Sequence, residues 1–201
     1  YQVVFPPLPE QQKIAKILTS VDDVIEKTQA QIDKLKDLKT GMMQELLTRG
    51  VGVDGKPHTE FKDSPVGRIP VGWEVETIGS LFQVQLGKML SKASKVGDNP
   101  LPYLGNKNVQ WGRFNLTSTE SMDFNEQEQR KFSLAHGDLL MCEGGDVGRC
   151  AIWEGEISNC YYQKALHRLR PIGGKFDPFL LMEYMRFAKE MRQAYPLHKF
   201  K

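Results

Sequence analysis

The sequence predicts an α+β protein in which one long coiled-coil helix is joined to a globular lobe of mixed short strands and helices. Apolar residues recur at heptad spacing across residues 9–50, which indicates the helix. Short strand-like runs separated by glycine-containing turns fill residues 69–201, which indicates the lobe. Residues 51–68 are rich in Gly, Pro, Asp and Lys and are predicted to be a linker.

The long helix follows a short extended start. Residues 1–8 combine strand formers with prolines and are predicted to be a terminal strand. Pro9 suits the first helical position, and Arg49 with Gly50 suits the end. An apolar seam with one interruption, at Lys39, runs between them. The seam residues expected to pair with another helix are Ile14, Leu18, Val21, Ile25, Ile32, Leu35, Met42 and Leu46.

The partner of this helix is expected to be a second copy or another protein. A helix with one apolar stripe is not stable alone, and the sequence contains no second long heptad segment. Parallel pairing of two copies would crowd two lobes at one end. An antiparallel homodimer with a lobe at each end is therefore the expected form of self-pairing.

Strands and helices alternate irregularly in the predicted lobe. Helices are expected from residue 77, over 125–132 and over 177–194, and strands over 101–105, 108–111, 139–142, 150–153 and 164–169. Cys142, Cys150 and Cys160 lack paired spacing and are predicted to be reduced, buried thiols. We expect a cytoplasmic protein without a membrane span, since no apolar run approaches ~20 residues.

No motif in the sequence predicts catalysis. Nucleophile-elbow, dinucleotide-binding and Walker patterns are absent from the sequence, and the four histidines lack metal-ligand spacing. Residues 143–146, Glu-Gly-Gly-Asp, lie between two predicted strands and are expected to form a connecting turn. We therefore predict no catalytic residues, no metal site and no cofactor in this chain.

Polar and basic residues in three segments are candidates for DNA contact. Five basic residues and one acidic residue lie between positions 85 and 113. Amides pair with adenine, Arg or Lys with guanine, and loop lysines hold phosphates. Each side chain could equally be solvated. The candidates are Gln85, Lys88, Lys92, Lys95, Asn106, Lys107, Asn108, Arg113, Lys164 and His167, with Gln163, Arg168 and Arg170 as a further strand-borne set.

Several segments, in family order, resemble the specificity subunit of Type I DNA restriction–modification systems. PPLPEQQKIAKIL resembles the start of its helical region, and IPVGWEVETIGSLF resembles the opening of a target-recognition domain. PYLGNKNVQWGRF resembles the first strand pair of that domain. GDLLMCEGGDVGRCAIW and CYYQKALHRLRP resemble its central motifs. The most specific of these are the PLPEQ helix start and the GDLL and ALHRLR pair.

The resemblance implies a protein without chemistry of its own. Two recognition domains, held apart by antiparallel helices, would read the two halves of a bipartite double-stranded DNA target. Methyltransferase subunits would bind the helices and methylate adenine with S-adenosylmethionine. A motor-nuclease subunit would join for cleavage, so ATP and Mg would also belong to partner subunits. The residues that read bases lie in variable loops and cannot be transferred by motif.

The chain departs from the family pattern in having one helical region and one lobe. On the resemblance, residues 1–8 would be the last strand of a preceding recognition domain. Residues 69–201 would be a recognition domain that lacks its closing strand. A different class of function stays open, that of a coiled-coil assembly or tethering protein with a protein-binding lobe. The salt dependence of DNA binding separates the two classes.

Overall fold

The computed structural model describes residues 4–91, 97 and 99–190 of the chain. It has the predicted α+β class, and that prediction is confirmed. The chain divides into two compact units, Tyr1–Lys62 with Ile69–Val71 and Asp63–Arg68 with Gly72–Lys201. The elements, in chain order, are α1 Leu8–Thr48, β1 Phe61–Ser64, β2 Gly67–Pro70, α2 Ile78–Leu81, β3 Phe82–Leu86, β4 Pro100–Leu104, β5 Val109–Gln110, β6 Arg113–Phe114, β7 Glu120–Asp123, α3 Glu126–Phe132, β8 Leu139–Cys142, β9 Cys150–Ile152, β10 Tyr161–Tyr162, β11 Leu166–Pro171 and α4 Pro178–Glu190.

The first unit is dominated by the single helix α1. Its 41 residues span about 60 Å at the usual helical rise. Pro7 occupies the N-cap, and Glu10 lies in the first turn, where it complements the helix dipole. The helix ends where Gly50 adopts a positive φ of 69° and donates its N–H to the Glu45 carbonyl at 3.1 Å. Only Met43 is buried along the whole helix.

The second unit contains a four-stranded antiparallel sheet with the order β3-β11-β8-β9. The central strand β11 pairs with β3 through Leu169 opposite Val84 and with β8 through Leu169 opposite Leu139. A second sheet has the order β10-β4-β7, in which β10 runs parallel to β4 and β7 runs antiparallel to it. The pair β5-β6 forms a hairpin.

Two apolar clusters form the core of the second unit. One contains Leu104, Phe124, Trp153 and Tyr162, and the Phe124 ring stacks on Tyr161 with ring centroids 4.4 Å apart. The other contains Phe82, Leu139, Leu169 and Leu181, which brings α4 against the four-stranded sheet. Burial of these apolar and aromatic side chains stabilises the unit.

Polar side chains of α3 and β11 connect these two elements to neighbouring segments. Asn125 and Glu128 form a capping box at the start of α3, which explains why this polar segment is helical. Arg168 is buried and donates to the carbonyls of Lys131 and Ser133 at 3.3 and 2.7 Å. The Arg170 guanidinium donates two hydrogen bonds of 2.7 Å to the Asp138 carboxylate. Strand β11 is thereby fixed to the segment between α3 and β8.

The three cysteines are buried and not bonded to one another, as predicted. Burial raises the pKa of the Cys150 and Cys160 thiols to about 12. Both thiols are therefore protonated and poorly nucleophilic near neutral pH. Among the described residues, no group of three or more His, Cys, Asp or Glu side chains could hold a metal ion. None of the described helices is long and apolar enough to span a membrane.

The predicted linker, residues 51–68, contains β1 and the start of β2. The candidate segment that begins at Gln85 starts inside β3, which extends through Leu86 and pairs with β11. Pairing with a distant strand decides this structure, and no local pattern reports it.

The Arg170–Asp138 pair supplies a test of the core. Asp138 is 1% exposed, so replacing it with Asn leaves a partly buried guanidinium without its counter-charge. We expect Asp138→Asn to lower the free energy of unfolding by roughly 3 kcal/mol, measured by urea denaturation. The control Glu126→Gln neutralises an exposed ion pair with 3.9 Å separation and should cost less than about 0.5 kcal/mol. Equal losses in the two variants would show that the buried pair does not support the fold.

Candidate nucleic-acid interface

Two loops of the second unit converge beside α4. The first is the segment from Asn106 through the β5–β6 hairpin, and the second is the turn between β8 and β9. We call their meeting point the loop junction. It is formed by Asn106, Trp111, Gly112, Gly144, Asp146, Gly148, Arg149, Met185, Arg186 and Lys189.

Asn106 joins the first loop to the second. Its side-chain amide donates to the Gly144 carbonyl at 3.1 Å, and its own carbonyl accepts from Arg149 at 2.9 Å. The Arg149 guanidinium also lies 3.8 Å from the Cys142 sulfur. Asn106 was predicted to contact DNA, but its side-chain amide instead holds the two loops together.

Trp111, Asp146 and Lys189 hold the tip of the hairpin against α4. The Trp111 indole N–H donates to Asp146 Oδ2 at 3.0 Å. Lys189 Nζ binds the same carboxylate oxygen and lies 5.0 Å from the centre of the Trp111 ring. The hydrogen bond from Lys189, followed by that from Trp111, lowers the pKa of Asp146 despite its partial desolvation. The carboxylate therefore stays charged well into the acid range.

Two glycines allow α4 to approach the loops closely. Gly112 has a φ of +70°, and a side-chain carbon there would lie 2.4 Å from Arg186 Nη2. Gly148 has a φ of +84°, and a side-chain carbon there would lie 2.8 Å from Met185 Cε. The Gly112 N–H also donates to the Cys150 carbonyl at 3.0 Å. The hairpin tip is therefore tied to β9 through its backbone and lies against α4.

Arg113, Lys107 and Lys164 are the basic candidates that remain at the surface. Arg113 lies in β6, directly after the hairpin tip, and its side chain forms no hydrogen bond or ion pair with other described residues. Lys107 is exposed and forms a 2.6 Å ion pair with Glu120. Lys164 is exposed before β11. Exposed ion pairs contribute little to stability, so Lys107 can exchange Glu120 for a phosphate at low cost.

Lys88 and Asn108 are placed inside the lobe, so the structure does not support their assignment to DNA contact. The Lys88 side chain is 11% exposed and binds Glu128 Oε2 at 2.7 Å and the Asp123 carbonyl at 2.6 Å. The Asn108 amide donates to the carbonyls of Asn115 and Ser118, and its oxygen accepts from the Gly105 N–H. Residue type alone did not reveal that these polar groups point inward.

Other candidates occupy intermediate positions or lie outside the described residues. Gln85 is half-buried and donates to the Leu86 carbonyl at 2.8 Å. His167 is half-buried, with Nε2 3.9 Å from Glu143 Oε2. Lys92 and Lys95 lie outside the described residues. Arg168 is buried and Arg170 is partly buried against Asp138, so both guanidinium groups are occupied by contacts within the lobe.

The apolar seam of α1 forms a second candidate surface, in the other unit. Its large apolar side chains are 42% to 65% exposed within the chain. Sequence reasoning identified two of its columns and missed a third, formed by Ile17, Val24 and Leu38. Their heptad positions, interrupted by the polar Gln31, were the available signal. A stripe three residues wide per heptad is typical of a helix that packs in a bundle, whereas two per heptad is typical of a two-stranded coiled coil.

Comparison with known proteins finds Type I specificity subunits among the proteins that this chain resembles. The family model for the Type I restriction modification DNA specificity domain matches residues 1–37. The Type I restriction enzyme MjaVIII specificity subunit of Methanocaldococcus jannaschii is 38% identical over 112 residues, which is 56% of this chain and 25% of that protein. The putative MjaX specificity subunit of the same organism is 38% identical over 110 residues, 53% of this chain and 25% of that protein. The chain thus spans about a quarter of the length of these curated relatives.

Solved structures agree on the fold. The HsdS subunit from Thermoanaerobacter tengcongensis matches with a TM-score of 0.56 and 20% identity, over 98% of this chain and 45% of that one. A chain from a study of complex assembly and conformational transition of the type I R-M system matches with a TM-score of 0.57 and 20% identity, over 94% of this chain and 44% of that one. The resemblance that the motifs indicate is therefore confirmed. This chain is similar to part of a Type I specificity subunit.

The depressed pKa of Asp146 predicts how the loop junction responds to acid. Because the pKa is lower in the folded state than in the unfolded state, the stability from this carboxylate is present above the usual value of 3.8 and is lost as pH falls through the folded pKa. The Trp111 indole N–H resonance should therefore shift with a midpoint below 3.8 in a ¹⁵N-labelled protein. The Trp153 indole is the internal reference. A Trp111 midpoint at or above 3.8 would contradict the assignment.

Proposed function

We propose that this chain is a non-catalytic, DNA sequence-recognition component of a Type I restriction–modification complex. The observation that carries the proposal is its 38% identity to proteins named as specificity subunits. The separate folding units support a division of tasks. The lobe (69–201) would read one half of a bipartite double-stranded target, and α1 would assemble the complex.

The surface of the lobe supports DNA recognition. Arg113, Lys107 and Lys164 are exposed on loops and strand ends of a unit whose core is closed by aromatic clusters. Loops held on a rigid scaffold place charged side chains with little loss of conformational entropy on binding. Lys88 is internal, so among the basic candidates that the structure describes these three are the proposed phosphate and base contacts.

The α1 surface supports assembly. The three apolar columns would cost free energy if they stayed in water, so we assign them to protein partners. One side of the stripe would pair with a second antiparallel helix, from another copy or from the remainder of a longer specificity subunit. The other side would bind the methyltransferase subunits. If two copies pair, a two-fold axis would make the target an interrupted palindrome.

Chemistry would belong to the partners. Methyltransferase subunits would supply S-adenosylmethionine, and the motor-nuclease subunit would use ATP and Mg. This chain would hold no cofactor and would act in the cytoplasm, where the complex meets DNA. The competing function is a coiled-coil assembly protein with a protein-binding lobe, and the following two experiments separate it from DNA recognition.

A salt titration tests the lobe. Phosphate contacts release counterions, so the logarithm of the association constant should fall steeply with the logarithm of salt concentration. We expect the triple variant Arg113→Ala, Lys107→Ala, Lys164→Ala to lower affinity and to flatten the slope by ~1 for each phosphate contact that is lost. The measurement is fluorescence anisotropy with duplex DNA, in the presence of the methyltransferase subunits.

The matched control removes three exposed basic residues elsewhere in the lobe, through Arg130→Ala, Lys131→Ala and Lys175→Ala. Its slope should stay close to that of the unmodified protein, although the change in net charge is the same. Equal flattening by both triple variants would indicate a diffuse electrostatic attraction without a defined surface. A shallow slope in the unmodified protein would favour the tethering function.

Charge substitutions in α1 test assembly. Ile25→Glu, Ile32→Glu and Leu35→Glu place three carboxylates in the apolar stripe, where burial of each unpaired charge is strongly unfavourable. We expect this variant to lose co-purification with the methyltransferase subunits and to sediment as a monomer. The control Thr19→Glu, Ala30→Glu and Gln44→Glu adds the same charge to the opposite helix face and should assemble normally. Normal assembly of the stripe variant would exclude α1 as the assembly surface.

A further inference from the structure

We propose that Asp146 is a positioning residue that holds the β5–β6 hairpin in the orientation in which Arg113 meets DNA. This inference rests on the proposed function, because it assigns a role within DNA recognition. Asp146 lies in the β8–β9 turn, which the sequence indicated to be an ordinary strand connection. Its carboxylate reaches two other elements of the lobe, the hairpin tip through Trp111 and α4 through Lys189.

The β8–β9 turn does not need the Asp146 carboxylate for its own conformation. Backbone hydrogen bonds already close it, from the Cys142 N–H to the Arg149 carbonyl at 2.8 Å and from the Gly148 N–H to the Cys142 carbonyl at 3.0 Å. The Arg149 N–H donates to the backbone carbonyl of Asp146 itself at 3.1 Å. The side chain is therefore available to fix neighbouring elements.

The Trp111 side chain at the hairpin tip takes its orientation partly from this carboxylate. The backbone of the tip is held by two β5–β6 residue pairs and by the Gly112 N–H bond to the Cys150 carbonyl. The Trp111 indole is placed by its hydrogen bond to Asp146, by the Lys189 ammonium over its ring and by packing against the apolar cluster that contains Leu181. Arg113 follows two positions after Trp111, so we expect loss of the indole anchor to change where the strand places the guanidinium.

Lys189 belongs to this arrangement and not to the phosphate contacts. Its ammonium is engaged by Asp146 and lies over Trp111, with side-chain exposures of 37% for Lys189 and 25% for Asp146. The pair is partly desolvated, which strengthens it relative to an exposed pair such as Lys107–Glu120. Two cations of α4 lie beside the hairpin tip, and both are paired, Lys189 with Asp146 and Arg186 with Glu183. Arg113 therefore remains to face the DNA.

Whether Asp146→Ala strengthens or weakens DNA binding distinguishes a positioning role from a purely electrostatic one. Asp146→Ala removes a negative charge and releases Lys189, so charge alone would strengthen binding to phosphate. Loss of the Trp111 anchor would instead weaken binding through Arg113. We expect Asp146→Ala to lower affinity for the selected DNA about tenfold, similar to Arg113→Ala at the lower end of the range for a lost base contact. The charge control Glu126→Ala should bind as well as the unmodified chain or slightly better.

The experiment combines a double-mutant cycle with a conservative rescue. The full chain and the methyltransferase subunits of its own system first select bound sites from randomised duplexes. Affinity for the selected duplex is then measured for each variant. If Asp146 acts through the hairpin, Asp146→Ala should weaken binding by less than about twofold in the Arg113→Ala background. Asp146→Asn, whose amide oxygen can still accept from Trp111, should retain affinity within about threefold of the unmodified chain.

A readout that does not depend on DNA completes the test. The Trp111 indole N–H resonance should move in Asp146→Ala and stay near its original position in Asp146→Asn, while both variants keep the thermal unfolding transition of the lobe. Additive effects of Asp146→Ala and Arg113→Ala, or tighter DNA binding by Asp146→Ala, would overturn the positioning role. Failure of the unmodified complex to select any DNA sequence would instead overturn the proposed function, and the indole resonances would still report whether the anchor exists.

Discussion

The second unit depends on how its central strand accommodates two arginines. β11 pairs on both edges, and it carries Arg168 and Arg170 at positions where an unpaired guanidinium would be costly to bury. Arg168 donates to backbone carbonyls at the end of α3, and Arg170 donates to the carboxylate of Asp138. This arrangement locks α3 and the start of β8 to the central strand. The turn that connects β8 to β9 therefore begins from a strand whose position is fixed. The same contacts help to position the loop junction.

The two units differ in how much apolar surface they bury. The lobe encloses large aromatic side chains in two clusters, whereas α1 leaves an apolar stripe exposed along most of its length of about 60 Å. A stripe of that size is unfavourable in water, and its regular spacing suits the packing of other helices.

Periodic features were predictable from the sequence, and features that depend on distant pairing were not. Heptad spacing identified α1, and alternating apolar runs identified β8, β9 and β11 to within two residues at each end. The parallel strand β10 is only two residues long and is defined by its partner β4, so no local signal could reveal it. The same limit explains Lys88, whose counter-charge Glu128 lies 40 residues further along the chain. A basic residue type indicates a phosphate contact only when the fold leaves the side chain at the surface.

The proposed function assigns DNA recognition to the lobe and assembly to α1. Site-specific crosslinking tests this division directly. Benzoylphenylalanine would replace Arg113 in one variant and Ile32 in another, with Ala30 on the opposite face of α1 as the reference position. Each variant would be irradiated in complex with the methyltransferase subunits and the selected duplex. The account predicts DNA crosslinks from position 113, protein crosslinks from position 32 and few of either from position 30. Protein crosslinks without DNA crosslinks from position 113 would contradict it.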